Sequence, residues 1–81
     1  NEEKYLTVKE FDLLTYFASN INKVFTRNQL LSQIWEDELF TDPSTVTVHI
    51  RRLREKIESD PSHPRHILTV WGVGYKFVEN V

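Results

Sequence analysis

The densest cluster of cations in this 81-residue sequence consists of Arg51, Arg52, Arg54 and Lys56. An arginine side chain ends in a planar fork of N–H donors, which matches the O6 and N7 acceptors of guanine and also pairs with phosphate. Cations gathered on one face are typical of surfaces that bind nucleic acids. The cluster therefore points first to nucleic-acid recognition, provided that the fold exposes these side chains together.

The segment that carries the cluster has the apolar spacing of an amphipathic helix. Asp42-Pro43 supplies a capping residue and a first-turn proline, and Asp60-Pro61 stops the pattern, so we predict a helix over residues 43–59. The stripe that must face the core consists of Val46, Ile50, Leu53 and Ile57. The opposite side consists of Ser44, Val48, Arg51, Arg52 and Glu55.

Two interpretations of this outward side are open. In a DNA major groove Val48 would meet a thymine methyl group, and the arginines would contact bases and phosphates. Alternatively, the side is a solvated basic surface held by ion pairs between residues four positions apart. These pairs would be Arg51–Glu55 and Arg54–Glu58.

Two further helices are predicted before the cationic one. Each begins with a capping box, in which two side chains satisfy backbone N–H groups at the helix start. The boxes are Thr7–Glu10 and Thr26–Gln29. The expected apolar stripes are Phe11, Leu14, Phe17, Ala18 and Ile21 in the first helix, and Leu30, Leu31, Ile34 and Trp35 in the second.

A β-hairpin is predicted after the cationic helix. Residues 66–78 are rich in β-branched and aromatic side chains on both sides of Gly72-Val73-Gly74, which supplies turn residues. Residues 36–42 show no period and are predicted to be a loop. Three helices followed by a hairpin, with short connections, predict an α+β fold in which a helix-turn-helix carries a C-terminal wing.

The overall charge opposes nucleic-acid binding until it is divided along the chain. Ten Lys and Arg residues against twelve Asp and Glu residues give a formal net charge of −2. Residues 1–42 hold four cations and eight acids, whereas residues 43–81 hold six cations and four acids. We therefore expect two surfaces of different charge.

Other function classes lack the residues that they need. The sequence has no cysteine, no glycine-rich phosphate loop and no histidine pair at metal-ligand spacing, so we expect no enzyme activity, no cofactor and no metal site. No apolar run reaches the roughly 18 residues of a membrane span, so no membrane contact is expected. Because the sequence starts at Asn1 and contains no Met, we expect residues 1–81 to be a fragment of a longer protein.

Four segments of the sequence carry a family resemblance. They are Leu6-Thr7-x-x-Glu10-Phe11-x-Leu13-Leu14, Val24-Phe25-Thr26-Arg27-x-x-Leu30-Leu31-x-x-x-Trp35, Thr45-Val46-x-Val48-His49-Ile50-Arg51-Arg52-Leu53-Arg54-x-Lys56-Ile57 and Thr69-Val70-x-Gly72-Val73-Gly74-Tyr75-Lys76-Phe77. In this order they resemble the C-terminal winged-helix DNA-binding domain of OmpR/PhoB-type response regulators. The resemblance spans nearly the whole chain.

The resemblance implies sequence-specific binding of double-stranded DNA and transcriptional regulation by a two-component system. It places the recognition helix, at about 43–59, in the major groove and the wing, at 66–78, near the minor groove. The small N-terminal β-sheet of the family is expected to be largely absent, because only residues 1–6 precede the first helix.

Several partners follow from the same resemblance. A receiver domain, which is not in this chain, is phosphorylated by a sensor histidine kinase in the cytoplasm, and the full-length protein then forms a homodimer on promoter direct repeats. The isolated domain is expected to be a monomer. RNA polymerase is the implied partner of a loop formed here by Glu36, Asp37, Glu38, Leu39 and Phe40. The alternative is an acidic solvated loop with Leu39 or Phe40 in the core.

The resemblance also assigns expected DNA contacts. The base contacts are Val48, Arg52 and Arg51. The backbone contacts are Trp35, Thr45, His49, Arg54, Thr69 and Tyr75, and the wing residues are Trp71, Gly72, Gly74 and Lys76. Simple core packing is the alternative for Trp35, and the two glycines are expected to serve only the turn.

Three residues depart from the family pattern. Trp71 stands where the family usually has an arginine that reads the minor groove, Ser44 replaces a frequent cation, and Thr47 replaces a frequent Asp. Because Trp71 and Ser44 stand in place of usual cations, we expect weak DNA binding by the monomer. A winged helix that binds a protein and has no DNA affinity is the alternative function, and the isoelectric point of about 5.9 favours it.

Overall fold

The computed structural model describes residues 5–38 and 41–79, which form three helices and three short strands. The elements are α1 (Val8–Ala18), β1 (Phe25–Thr26), α2 (Arg27–Ile34), α3 (Ser44–Ile57), β2 (Ile67–Val70) and β3 (Gly74–Phe77). The predicted three helices and C-terminal hairpin are confirmed. The strand β1 is an element that the sequence pattern did not reveal.

Both predicted capping boxes are present. The Thr7 side chain accepts a hydrogen bond from the Glu10 backbone N–H, and the Glu10 carboxylate accepts one from the Thr7 N–H at 2.9 Å. Thr26 and Gln29 make the same reciprocal pair at the start of α2. These local signals set where α1 and α2 begin.

The predicted apolar stripe of α1 is partly wrong. The buried residues are Glu10, Leu13 and Phe17, whereas Phe11 is 59% exposed and Ile21 lies beyond the helix end. The reason is a charge that the apolar pattern ignores. The buried Glu10 carboxylate pairs with Lys56 of α3, so this row of α1 turns toward the core.

The helix α3 is shorter than the predicted range of 43–59. It begins at Ser44, whose N–H donates to the Asp42 carboxylate at 2.8 Å, while Pro43 lies just before it. It ends at Ile57 because Glu58 adopts an extended conformation with ψ of 142°. The carboxylate of Glu58 then has a separate role in the wing.

The three strands form one antiparallel sheet in the order β1-β3-β2. Thr26 pairs with Gly74, and a Cβ atom on Gly74 would lie only 1.9 Å from the Phe25 carbonyl oxygen. Gly74 is therefore required for the close approach of β1 and β3, and the expectation that it serves only the turn is wrong. The pattern missed β1 because this strand has only two residues and the second, Thr26, is the N-cap of α2.

The core lies between the helices and the inner face of this sheet. It consists of Leu13, Phe17, Phe25, Leu30, Ile34, Trp35, Val46, Ile50, Leu53, Ile67 and Tyr75. Phe17 joins the layers, with ring centroids 6.2 Å from Phe25 and 6.4 Å from Phe77. In the part of the chain that the structure describes, no helix is both long and apolar enough to cross a membrane.

Candidate nucleic-acid interface

The helix α3 has one packed side and one exposed side. Val46, Ile50 and Leu53 are fully buried, as predicted. The exposed residues are Ser44, Thr47, Val48, Arg51, Arg52 and Glu55. Val48 is 44% exposed although it is apolar, and it lies among the exposed arginines. We call this exposed side, from Ser44 to Glu55, the outward face of α3.

The arginines of the outward face differ in their partners. Arg51 approaches the Glu55 carboxylate at 3.9 Å, and both side chains are more than half exposed, so the predicted ion pair is present but weak. Within residues 5–38 and 41–79, Arg52 has no carboxylate within 4 Å. Arg52 is therefore an exposed cation whose guanidinium is available to bind a ligand.

Arg54 has a different position on the same helix. Its guanidinium donates to the Ile67 carbonyl oxygen at 2.8 Å and to the Thr69 hydroxyl at 2.9 Å, and it lies 5.6 Å from the Tyr75 ring centroid. Partial burial lowers the pKa of this group, and the nearby Tyr75 and Glu58 oppose that effect. Arg54 thus ties α3 to the wing.

Glu58 makes a second connection between α3 and the wing. Its carboxylate accepts the backbone N–H groups of Arg65, His66 and Ile67 at 2.8–3.0 Å. Burial alone would raise the pKa of Glu58, but these three donors outweigh burial and lower it. The predicted Arg54–Glu58 ion pair is wrong, because both side chains turn to the wing instead. We call Arg54 and Glu58 the wing anchor.

Trp35 packs in the core next to the candidate contact residue His49. It is 3% exposed and meets the His49 ring edge-on, with centroids 5.0 Å apart. Every buried side-chain N or O atom of the described residues has a hydrogen-bond partner, and no bond from the Trp35 indole N–H occurs among them. The indole nitrogen therefore reaches the surface even though the ring is packed.

His49 is oriented by its own helix. Its Nδ1 lies 2.9 Å from the Thr45 carbonyl oxygen, and a carbonyl can only accept, so Nδ1 carries the proton. The other ring nitrogen, Nε2, takes no part in this hydrogen bond. Both Thr45 and His49 are half-buried at the edge of the outward face. The His49 ring lies beside Trp35 rather than among the exposed arginines.

The wing presents its residues very unequally. Tyr75 is buried and Lys76 half-buried, whereas Thr69 is exposed and Trp71 is 89% exposed. Gly72 has φ of 78°, a left-handed conformation that a glycine adopts without strain, so its expected role in the turn is confirmed. The structure therefore brings Thr69 and Tyr75 together at the wing anchor and leaves Trp71 at the tip.

The acidic turn lies elsewhere on the surface. Glu36, Asp37 and Glu38 are exposed, and Lys9 of α1 bonds the Asp37 carboxylate at 3.2 Å and the Ile34 carbonyl oxygen at 2.8 Å. The bond from Lys9 lowers the pKa of Asp37. Leu39 and Phe40 lie outside the described residues. Asp37 of this loop is thus paired with α1, whereas Arg51, Arg52 and Arg54 lie on α3.

Histidines do not assemble a metal site in the described ranges. His63 Nδ1 lies 3.1 Å from the Asp60 carboxylate, and His66 Nδ1 lies 3.3 Å from the Val78 carbonyl oxygen. Residues 5–38 and 41–79 contain no group of three or more His, Asp or Glu side chains that could hold a metal ion. The three histidines act through local hydrogen bonds.

Some functional residues escaped the sequence pattern. Glu58, Glu10 and Lys56 make connections between residues that are 7 to 46 positions apart in the chain. A lone charged residue gives no periodic signal of a distant partner. Lys56 was noted only as a cation, Glu58 only as the expected partner of Arg54, and Glu10 only as a cap, so none of these connections was predicted. The sequence therefore revealed the exposed cations of the site but not the charges that hold it in place.

Comparisons with known proteins agree with this geometry. Residues 1–77 match the family model described as transcriptional regulatory protein, C terminal. The chain is 53% identical over 78 residues to the uncharacterized transcriptional regulatory protein YcbL of Bacillus subtilis, which covers 96% of this chain and 34% of that protein. The chain thus spans about a third of the length of this relative.

Two solved structures extend the comparison. The response regulator DrrB of Thermotoga maritima, an OmpR/PhoB homologue, has a TM-score of 0.84 and 47% identity over 93% of this chain and 34% of its own. The RstA DNA-binding domain of Klebsiella pneumoniae, solved in complex with the RstA box, has a TM-score of 0.77 and 32% identity, over 91% and 73% of the two chains. With its three helices, its three-stranded antiparallel sheet and the matched family model, this chain belongs to the winged-helix C-terminal domains of OmpR/PhoB-type transcriptional regulatory proteins.

Proposed function

We propose that this domain binds double-stranded DNA in a sequence-specific manner and regulates transcription as the output domain of a response regulator. The observation that carries the proposal is the outward face of α3, which is exposed, cationic and rigidly backed by the core. A helix of this kind fits the major groove, where side chains reach base edges. The DNA complex of the RstA domain, which shares the fold, supports the same use here.

The contacts follow from exposure and partners. Val48, Arg51 and Arg52 are placed to meet base edges, and Arg52 is the strongest candidate because no carboxylate of the described residues engages its donors. Phosphates would be met at the edges of the outward face and of the wing. The residues proposed for them are Thr45, His49, the indole N–H of Trp35, Thr69 and Tyr75.

Arg54 takes a different role from the expected phosphate contact. Because its donors already bind Ile67 and Thr69, we assign it first to positioning the wing relative to α3. The wing then lies near the minor groove while α3 occupies the major groove. The geometry of the DNA complex thus depends on the wing anchor as well as on the exposed arginines.

The longer protein supplies the regulation in this proposal. A receiver domain phosphorylated by a sensor histidine kinase would pair two copies on direct repeats in the cytoplasm, and pairing would raise the weak affinity of one domain. The acidic turn at Glu36, Asp37 and Glu38 is exposed and would be free to contact RNA polymerase. The domain itself performs no catalysis in this account.

The proposal is tested by selecting bound duplexes from a random pool with the 81-residue domain, followed by salt titration on the best duplex. We expect one enriched sequence, and a logarithmic affinity that falls linearly with the logarithm of salt concentration, by about 0.9 per phosphate contacted. A pool without enrichment, together with no duplex affinity at low salt, would contradict the proposal.

A protein-binding winged helix is the second candidate function. The net charge of −2 and the acidic turn beside α1 favour it. It predicts a partner whose affinity is insensitive to salt, and it predicts no enrichment of any duplex. The selection experiment therefore separates the two functions.

A further inference from the structure

The tip of the wing carries an apolar side chain that the sequence-based contacts do not explain. Trp71 is 89% exposed and Val73 is 52% exposed. Single exposed apolar residues are common and carry little information alone. The position of Trp71 relative to α3 is what gives it meaning.

A tight turn sets the shape of this tip. The Val73 N–H donates to the Val70 carbonyl oxygen at 2.9 Å, and Gly72 has φ of 78°. This hydrogen bond and a positive φ at the third residue are the features of a type II turn. Apart from its chain neighbours Trp71 and Val73, no described residue has an atom within 4 Å of the position that a Cβ on Gly72 would take. The tip is therefore narrow, with Trp71 at its corner.

The tip is also tied to α3. The strand β2 leads directly to Trp71, and Arg54 bonds that strand at Ile67 and Thr69. An open cleft between the tip and α3 is lined by Thr47, Arg27 and Trp71, and no carboxylate lies among the described residues that line it. The tip is thus continuous with the proposed DNA interface, and the charge of the cleft suits phosphate.

We propose that Trp71 enters the minor groove of the bound duplex as an apolar wedge and favours a flexible pyrimidine–purine step there. The proposal rests on the proposed DNA binding. Apolar side chains inserted from the minor groove unstack a base step and bend the duplex, and pyrimidine–purine steps deform at the least cost. An indole carries no charge, so its contribution comes from contact with base and sugar faces and not from neutralised phosphate.

The first test compares variants on the selected duplex. Trp71→Ala should weaken binding about tenfold, and Trp71→Phe less than about threefold, because an aromatic face is retained. Neither variant should change the salt slope, whereas Trp71→Arg should steepen it by about one phosphate. The matched control is Phe11→Ala, which truncates an exposed aromatic on α1 and should leave affinity unchanged.

The second test changes the DNA. Replacing the pyrimidine–purine step under the wing with a stiff A-tract should weaken duplex binding by the parent domain. The same replacement should leave duplex binding by Trp71→Ala unaffected. The indole emission should also change on duplex binding in the parent, and the part of that change due to Trp71 should be lost in Trp71→Phe, in which Trp35 is the remaining tryptophan.

The outcomes separate this proposal from the one on which it rests. If the parent binds the duplex but Trp71→Ala binds equally well, the wedge is wrong and DNA binding stands. If Trp71→Phe and Trp71→Ala lose equal duplex affinity, or if the salt slope falls in both variants, the proposed apolar contact of Trp71 with the duplex is wrong. If the parent binds no duplex, the proposed function itself fails.

Discussion

Arg52 and Arg54 are two residues apart on one helix and are used in opposite ways. Arg54 is half-buried and donates to β2, whereas Arg52 is exposed and, among the described residues, has no carboxylate within 4 Å. In the wing anchor, charged side chains hold the wing against α3. On the outward face of α3, charged side chains stay available to a ligand. The difference shows that the role of an arginine here is set by what lies beside its helix face and not by its type.

The same contrast explains the unfavourable net charge. Glu10 and Glu58 are buried carboxylates that bind Lys56 and backbone N–H groups, so they add little to the field outside the fold. In the acidic turn, the exposed Asp37 is paired with Lys9 of α1. A formal charge of −2 is therefore compatible with a cationic outward face.

The largest effect is expected when the wing anchor is broken at Glu58. Glu58→Ala leaves three backbone N–H groups without their acceptor, so the free energy of unfolding should fall by about 3 kcal/mol. Urea denaturation measures this change. Glu55→Ala is the matched control on the outward face, and its loss should stay below about 0.5 kcal/mol. Equal losses in the two variants would contradict the contrast.

The next effect is a change in duplex binding that leaves the stability of the fold unchanged. Arg52→Ala should weaken binding to the selected duplex by about 1–3 kcal/mol more than binding to a random duplex, since a base contact carries specificity. The midpoint of urea unfolding should not move, because the side chain is exposed. Competition titrations on both duplexes provide the measurement. An equal loss on the two duplexes would make Arg52 a phosphate contact.

Arg54→Ala should affect the stability of the fold more than the salt dependence of duplex binding. It removes the bonds to Ile67 and Thr69, and the free energy of unfolding should fall by about 1–2 kcal/mol. The salt slope of duplex binding should change by less than one phosphate, because the guanidinium is already engaged. If stability is unchanged and the slope falls by about one, Arg54 contacts a phosphate, as the family resemblance implies.

A smaller effect is expected on acidification. The pKa of Glu58 is lowered in the folded state, so its contribution to stability is complete above its ordinary value near 4.5 and is lost as the pH falls through the folded value. Glu10 follows the same sign. Unfolding free energy measured from pH 7 to pH 3 should therefore drop below about pH 4.5. The Glu58→Gln variant should show a shallower drop, and an identical profile would remove Glu58 as a cause.

The sequence predicted the elements better than the connections between them. The capping boxes fixed the starts of α1 and α2, and the apolar stripe of α3 placed Val48, Arg51 and Arg52 on the surface, since these signals are local or periodic. The strand β1 and the wing anchor were not predicted, because they depend on partners distant in the chain. The contact residues assigned from the family stay predictions.

The most direct test of the account is an NMR titration of the 81-residue domain with the selected duplex. We predict the largest amide shifts along the outward face of α3, at Val48 and Arg52, and at the indole N–H of Trp71, with small shifts at Phe11 and in the acidic turn. Shifts concentrated on α1 and the acidic turn, or no shifts with any duplex at low salt, would contradict it.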